Sequence, residues 1–317
     1  MIRESGLYKS VKEIIPNERI LINEAMSQHT TFRIGGAADL FVEISNDDEL
    51  KKMLEALALH GYKNLNKDFY LIGNGSNLLV SDEGLRGVVL HLSKEYNDIK
   101  VCEDTLICKA GCTLAAIARK ACENSLTGFE FAAGIPGSLG GAIVMNAGAY
   151  DGEMKQVIKS VTLMSPEGEI IKKNNEEMKF SYRHSLLKEE SYIVLESEIS
   201  LKKGNQNEIK EKMEDLAFKR RSKQPLEYPS AGSTFKRPEG YFAAKLIDDA
   251  GLRGYSVGDA QVSDKHCGFV VNKGNATAKD VMTLIKNVQS KVKEASGVTI
   301  EPEVICIGEF TEYIYKG

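Results

Sequence analysis

Residues 132–150 read Ala132-Ala133-Gly134-Ile135-Pro136-Gly137-Ser138-Leu139-Gly140-Gly141-Ala142-Ile143-Val144-Met145-Asn146-Ala147-Gly148-Ala149-Tyr150. Among the first ten, Gly134, Pro136, Gly137, Gly140 and Gly141 lack a Cβ or lock φ, which specifies a turn rather than a helix or strand. No charge follows until Asp151, so the turn is expected to be buried. Bare backbone of this kind suits close approach by a phosphate-bearing ligand; the plain alternative is a tight turn between packed elements. Upstream, Leu71-Ile72-Gly73-Asn74-Gly75-Ser76-Asn77-Leu78-Leu79 runs from an apolar strand into a second such loop. Two loops in one chain favour a dinucleotide-sized ligand.

Neither loop fits the commoner nucleotide motifs. After Gly73 and Gly75, Leu78 stands where Gly-x-Gly-x-x-Gly needs its third glycine, and no helical pattern follows. No Gly-Lys-Ser/Thr closes either loop, which excludes a P-loop. A different dinucleotide fold is required.

The chain has 317 residues, 42% hydrophobic and 27% charged, ordinary values for a globular protein of two or three domains. A formal charge of −4 argues against nucleic-acid binding, which needs a basic surface. No apolar run of about 18 residues is present, and Met1-Ile2-Arg3-Glu4-Ser5-Gly6 leads into no apolar signal core, so a cytoplasmic protein with no membrane segment is expected. Cys102, Cys108, Cys112, Cys122, Cys267 and Cys306 form no Cys-x-x-Cys and the histidines are scattered. Free, mostly buried thiols and no metal site are expected. No obligate protein partner is evident.

Periodicity gives the elements. Leu50, Met53, Leu54 and Leu57 repeat at helical spacing over 46–60, with Gly61 as a stop. Thr113 can cap a short helix carrying Leu114, Ile117, Ala118 and Ala121. Residues 69–72 and 88–92 read as buried strands. Strands over 157–164 and 169–173 flank Ser165-Pro166-Glu167-Gly168, a hairpin signature. Tyr192, Val194, Glu196 and Glu198 fall on one side of the strand 192–201. Helices follow over 207–223, with Ile209, Met213, Leu216 and Ala217 inward, and over 277–296; strands at 268–271 and 304–307 frame the latter. The architecture is α+β.

Three stretches, Thr30-Thr31-Phe32-Arg33-Ile34-Gly35-Gly36-Ala37-Ala38, residues 72–77 and residues 134–141, resemble the flavin-binding half of the UDP-N-acetylenolpyruvoylglucosamine reductase (MurB) family. Tyr182-Arg183-His184-Ser185, Ala231-Gly232-Ser233-Thr234-Phe235-Lys236 and Glu301-Pro302-Glu303-Val304 resemble its catalytic motifs in the family's order, and the likeness spans roughly residues 20 to 308. It implies an FAD-binding fold of the vanillyl-alcohol-oxidase type in two subdomains, 1–90 (with 304–317 returning to it) and 91–203, plus an α+β substrate-binding domain over 204–303. It implies non-covalent FAD held by Arg33, Ile34, Gly35, Ile72, Gly73, Asn74, Gly75, Ser76, Asn77, Gly134, Ile135, Pro136, Gly137, Ser138, Gly140, Gly141 and Asn146. The implied reaction is NADPH-dependent reduction of UDP-N-acetylglucosamine enolpyruvate to UDP-N-acetylmuramate.

Catalytic roles are carried over in the same way. Ser233 follows a glycine, which lets a hydroxyl be presented at an awkward angle, but a Gly-Ser is also an ordinary turn. No Gly-x-Ser-x-Gly supports a hydrolase triad. By resemblance Ser233 is the general acid that protonates C2 after hydride reaches C3. Arg183 can offer a permanently charged guanidinium to the substrate carboxylate, or simply close a loop. Glu303, before an apolar strand, is by resemblance the third catalytic residue. Lys219, Arg220, Arg221 and Lys223, with Lys236 and Arg237, are the densest basic cluster of an acidic chain; they suit a diphosphate, or a solvated helix end. Tyr182 and Lys245 complete the substrate candidates with Arg220, Arg221, Lys236 and Arg237. His184 and His266 are expected to be structural.

The sequence departs from the family's pattern twice: Ala244 stands where glycine is common, and no inserted loop after Tyr192 supplies a tyrosine over the uridine, as in a shorter subtype. Two other readings remain open: a sugar or alcohol oxidase on the same flavin fold, though neither His nor Cys sits in either loop for tethering, and a nucleotide-sugar binding module without catalysis.

Overall fold

The expected helix over 46–60 forms as Asp47–Leu59 in the computed structural model, which describes residues 4–310. Asn46 caps it by accepting the Glu49 N–H at 2.9 Å, three acidic residues occupy the first turn, and Leu50, Met53, Leu54 and Leu57 are buried. Leu114–Glu123 is capped by Thr113 and buries the four apolar residues expected of it. Ile158–Met164 and Ile170–Asn174 pair antiparallel across the Ser165 turn, where Ser165 N donates to Glu169 O at 2.8 Å. These segments follow their local patterns because each has one apolar face and a well-marked stop.

The chain divides into two compact units and passes between them five times: residues 1–22, 40–74 and 87–220 build the first, and 23–39, 75–86 and 221–317 the second. Residues 311–317 of the expected returning segment 304–317 lie outside the described residues. The boundary expected at 203/204 precedes the helix Gln206–Lys223, whereas the units part at 220/221, near its end. The helix stays with the first unit because Ile209 is buried and Met213 packs against that unit's core.

In the first unit, Phe69–Ile72 pairs parallel with Val88–His91. A five-stranded antiparallel sheet runs in the order Ile170–Asn174, Ile158–Met164, Ile193–Ser200, Thr105–Lys109, Ile99–Cys102. Val194, expected on one side with Tyr192, Glu196 and Glu198, is buried where the two glutamates are not. The ladder shifts register between Glu196 and Val194, which takes Val194 out of the glutamates' alternation. The helix Leu139–Val144 covers it: a Cβ added to Gly140 would come within 3.8 Å of the Val194 Cβ. Glu196 and Glu198 remain half-buried and ion-paired, to Lys109 at 3.2 Å and Lys159 at 3.3 Å.

In the second unit, Ser230–Ser233, Phe269–Asn272, Ala260–Val262 and Ser256–Val257 form a four-stranded antiparallel sheet, and Ile305–Ile307 pairs parallel with Leu78–Val80. The helix Ala278–Ser296 buries Val281, Leu284, Ile285, Val288 and Val292 against this core. Thr277 and Asp280 close its start as a capping box, and Gly297 at φ 73° ends it. Asp82 adds two bonds to its first turn, accepting from Ala278 N at 2.8 Å and Lys279 N at 3.0 Å.

Candidate functional site

The opening stretch holds more order than its glycines predict. Leu139–Val144 is a short helix, contrary to the expectation of a turn without helix, because Leu139, Ala142 and Ile143 are drawn into the core. Ser138 takes the cap position and is 5% exposed. Backbone bonds fix the loop: Leu114 N to Gly137 O at 3.1 Å, Leu139 N to Cys112 O at 2.8 Å and Gly140 N to Ala110 O at 2.9 Å. Burial is partial, since Gly134, Pro136 and Gly141 are exposed, the two glycines presenting backbone without side chains.

The second loop meets the first within the same unit. A Cβ on Gly73 would sit 2.1 Å from Ser138 Oγ, so only glycine lets the two loops touch. Asn74 Nδ2 lies 3.5 Å from Pro136 O, at the outer limit of a hydrogen bond. Ile72 and Ser138 are buried supports; Gly73, Asn74, Gly134, Ile135, Pro136 and Gly141 form the accessible rim. Gly140 is half-buried like Gly73, and a Cβ there would meet Ala110 Cβ at 3.3 Å, so its bareness serves packing as well. Asn146 is withdrawn. It has no exposed surface, and its amide is consumed by Ser181 O, Glu153 and Lys155 N, so direct cofactor contact by this side chain is corrected to an internal role.

A cavity of about 430 Å³ opens beside Gly134, lined by Phe131, Ala133, Tyr150, Met213, Ala217 and Arg220 among others. This accounts for the half-exposed face of Gln206–Lys223: of the expected inward residues only Ile209 is buried, while Met213, Leu216 and Ala217 line the cavity. Arg220 lies on the loop, its Cδ 3.0 Å from where a Gly134 Cβ would be. Burial lowers the guanidinium's pKa, opposed by nearby Tyr150. The helix is fastened by Lys212, whose Nζ is 3.3 Å from Glu130, a 3% exposed carboxylate that also accepts from Thr127 Oγ1 at 2.6 Å and Gly128 N at 3.0 Å. Burial would raise the Glu130 pKa, and these bonds hold it below its ordinary value.

Arg183 belongs to this first unit. Ser181 and His184 exchange backbone bonds at 3.1 Å each way, so Tyr182 and Arg183 are the centre of a tight turn. Arg183 has φ 54°, and its guanidinium lies 5.0 Å from the Tyr182 ring centroid. His184 is occupied by Glu189 at 3.2 Å, a structural use.

In the second unit, Gly75 at φ 59° packs on residues 29–30, where a Cβ would come within 2.1 Å of His29 O. Thr31 N donates to Gly75 O at 3.4 Å and Thr31 Oγ1 to Ser230 O at 2.7 Å, joining the 30–35 loop to the Ser233 strand. Ile34 is 3% exposed in the core, so any cofactor contact there is through backbone; Arg33 is exposed. Gly35 is glycine for packing, since a Cβ would meet Val80 Cβ at 2.7 Å. Ser76 is half-buried.

The same unit brings Ser233 and Glu303 together. Glu303 N donates to Thr234 O at 2.7 Å, Lys236 N to Glu301 O at 2.8 Å, and Phe235 and Pro302 form a bridge between them. Asn77, expected at the cofactor, braces this pair: its Nδ2 donates to Glu303 O at 3.2 Å and its O accepts from Ile305 N at 2.9 Å. Lys236 Nζ is paired with Glu301 at 2.9 Å, and Lys245 with Asp249 one helical turn on. Both are thus engaged on the protein. Arg221 and Lys223 are exposed, and Arg237 lies 4.0 Å over the ring of Phe242, itself 60% exposed. Ala244 fits because it faces Gly268, where an added Cβ would stand 3.4 Å away. His266 is structural, with Nδ1 accepting from Gly268 N at 3.1 Å, and burial lowers its pKa.

Sequence reasoning missed Tyr150, Glu153, Thr31 and Phe242. Tyr150 ends the glycine-rich stretch at φ 51° and Phe242 lies two residues after Gly240, so a glycine two positions away was the available signal. The cysteines are free; Cys108, Cys112 and Cys267 are buried, whereas Cys102 and Cys306 are exposed, so burial is less general than expected. Among the described residues no cluster of His, Cys, Asp and Glu could hold a metal, and no helix is long and apolar enough to cross a membrane.

The α+β fold and its paired glycine loops define an FAD-binding protein of the vanillyl-alcohol-oxidase type: residues 38–174 match the family model described as an FAD binding domain. Residues 224–307 match the C-terminal domain of UDP-N-acetylenolpyruvoylglucosamine reductase. The UDP-N-acetylenolpyruvoylglucosamine reductase of Lachnoclostridium phytofermentans is 53% identical over 96% of this chain and 97% of its own, and that of Clostridioides difficile 46% identical over 97% and 100%. The crystal structure of the Thermus caldophilus reductase (MurB) superposes with a TM-score of 0.77 at 33% identity, covering 91% of this chain and 98% of that one. The chain belongs to the UDP-N-acetylenolpyruvoylglucosamine reductase family, and its cofactor is FAD.

Proposed function

We propose that this chain reduces UDP-N-acetylglucosamine enolpyruvate to UDP-N-acetylmuramate in the cytoplasm, with NADPH as the source of hydride. Full-length similarity to the reductases supports the activity. Among structural observations, the bond from Glu303 N to Thr234 O carries the site reading, because it joins the two catalytic motifs of the second unit. The fit to FAD rests on the exposed, side-chain-free backbone at Gly134 and Gly141, with Pro136 between them beside Asn74. Those residues, with Gly73, Ile135, Ser76 and the backbone of Arg33–Gly35, would hold it. When bound, FAD supplies the hydride that is delivered to C3 of the enolpyruvyl group.

The chain's residues do the rest. Arg183 neutralises the substrate carboxylate, where negative charge grows as C3 accepts hydride. Ser233 holds its hydroxyl proton for C2, and Glu303, the third catalytic residue, polarises the adduct or assists that proton's movement. Tyr182, Arg220, Arg221, Lys236, Arg237 and Lys245 serve the nucleotide, with the exposed Arg221 and Arg237 the natural partners of the diphosphate. The functional division proposed is residues 1–203 for flavin, in halves meeting at 90/91, and 204–303 for substrate.

Anaerobic mixing tests the reaction. NADPH should bleach the bound flavin, and the enolpyruvyl nucleotide should restore its colour within the turnover time. Bleached flavin that the nucleotide leaves unchanged would remove the proposal.

A further inference from the structure

Asn146 stands just beyond the end of the helix Leu139–Val144, at φ 41° and without exposed surface. Its Nδ2 donates to Ser181 O at 2.9 Å and to Glu153 Oε2 at 3.1 Å, while Oδ1 accepts from Lys155 N at 2.9 Å. Ser181 opens the turn whose centre is Tyr182 and Arg183. On its far side Ser185, also without exposed surface, donates from Oγ to Val144 O at 2.8 Å. The turn is therefore fastened at both ends to residues 144–146, the end of the glycine-rich stretch. Arg183 itself is held at φ 54°, a left-handed conformation costing a non-glycine residue on the order of 1 kcal/mol or more. Such a conformation persists only where surrounding contacts over-determine it.

We propose that Asn146, oriented by Glu153, is a positioning residue for Arg183: it fixes the strained turn that aims the guanidinium, and so ties the aim of Arg183 to the flavin loop. The inference rests on the reading of Arg183 as the partner of the substrate carboxylate. Asparagine suits the place because one amide must donate twice and accept once inside the protein. Aspartate would set a carboxylate against Glu153 and against the Ser181 carbonyl. Glu153 closes the arrangement by taking the second amide proton, which leaves the first aimed at Ser181 O.

A double-mutant cycle on the flavin-loaded full chain tests this, with both half-reactions followed by anaerobic stopped flow. Asn146→Ala and Glu153→Ala should each slow reoxidation of reduced flavin by the enolpyruvyl nucleotide by roughly tenfold to a hundredfold, the usual effect of misplacing a group by about 1 Å. Reduction by NADPH should stay within about threefold, because that step does not use the carboxylate partner. In an Arg183→Ala background the same substitutions should add less than about twofold, since residues acting as one unit are not additive. Should Asn146→Ala not fold, the half-buried Glu153 carries the same cycle, and Glu153→Gln, whose Oε1 still accepts from Asn146, should lose less than Glu153→Ala. Losses that multiply in the double variants, or equal slowing of both half-reactions, overturn the proposal. Wild-type protein that is reduced by NADPH yet never reoxidised by the nucleotide removes the activity itself, a result visible before any variant is made.

Discussion

Glu303 is joined to Thr234 by a 2.7 Å bond from its backbone N–H to the threonine carbonyl, so residues far apart in sequence become neighbours in one small antiparallel ladder. Ser233 lies at its end, and Asn77 braces the same ladder from the glycine loop through its 3.2 Å bond to Glu303 O. The geometry is set by backbone, which makes side-chain replacement at Ser233 a clean probe of chemistry.

Ser233→Ala should retain flavin and accept hydride from NADPH at the wild-type rate. Reoxidation by the enolpyruvyl nucleotide should fall by about 10²–10⁴-fold, the usual worth of general acid catalysis. Ser233→Cys, of similar reach and greater acidity, should recover part of the loss. Stopped-flow traces of the two half-reactions decide it; an alanine variant within about threefold of wild type in the second step would sink the assignment.

Two neighbouring glycines should behave differently. Gly141 is exposed and a Cβ there would meet only Ser138 Oγ, at an ordinary 3.6 Å. Gly141→Val should purify folded but pale. Gly140→Val presses on Ala110 and should lose about 1–3 kcal/mol of stability, the range for overpacking. Absorbance per mole of protein and a denaturant titration separate the two; full flavin content in Gly141→Val counts against the proposed flavin rim.

Adjacent arginines should also part company. Arg220 rests on the Gly134 loop, so Arg220→Ala should shift the flavin spectrum and slow both half-reactions. Arg221 is exposed, and Arg221→Ala should raise KM for the uridine diphosphate substrate about tenfold or more, as expected for one charge-assisted contact, with NADPH reduction unchanged. Identical kinetics for the two variants would dissolve the distinction.

Acid should weaken the first unit through Glu49. Burial opposes ionisation there, but bonds from Arg19 at 2.7 and 2.8 Å and from Ser45 N and Oγ at 2.9 Å outweigh it and lower the carboxyl to about 2. The folded value lies below the ordinary 4.5, so the stabilisation is complete above that pH and disappears as pH falls toward 2. Glu49→Gln should cost about 1–3 kcal/mol at pH 7 and progressively less below pH 4, by denaturant midpoints. A difference independent of pH would contradict the ion pair's role.

The glycine loops, the capped helices and the order of motifs could be read from sequence because they are local: capping, periodicity and turn chemistry act over a few residues. What escaped was the use of each residue in three dimensions. Asn77 and Asn146 sit inside loops that read as cofactor sites, yet both spend their amides on the protein, bracing Glu303 and the Arg183 turn. Gly140 looks like its neighbours, and only the proximity of Ala110 shows that it serves packing. Val194 alternates with glutamates in sequence, and only the register shift in its ladder, with the helix folded over it, explains its burial. The second unit's composition from three separate segments leaves no mark in local periodicity.

That interleaving bears on how the chain matures during synthesis. Phe32, Ile34 and Leu79 emerge early, but the apolar residues they pack with, from Ala231 to Val304, come in the last third. At about 5–20 residues per second they wait on the order of ten seconds or more on the ribosome with their hydrophobic surface unmatched. A nascent chain stalled after Arg220 would hold every segment of the first unit and two stranded pieces of the second, a natural client for chaperones.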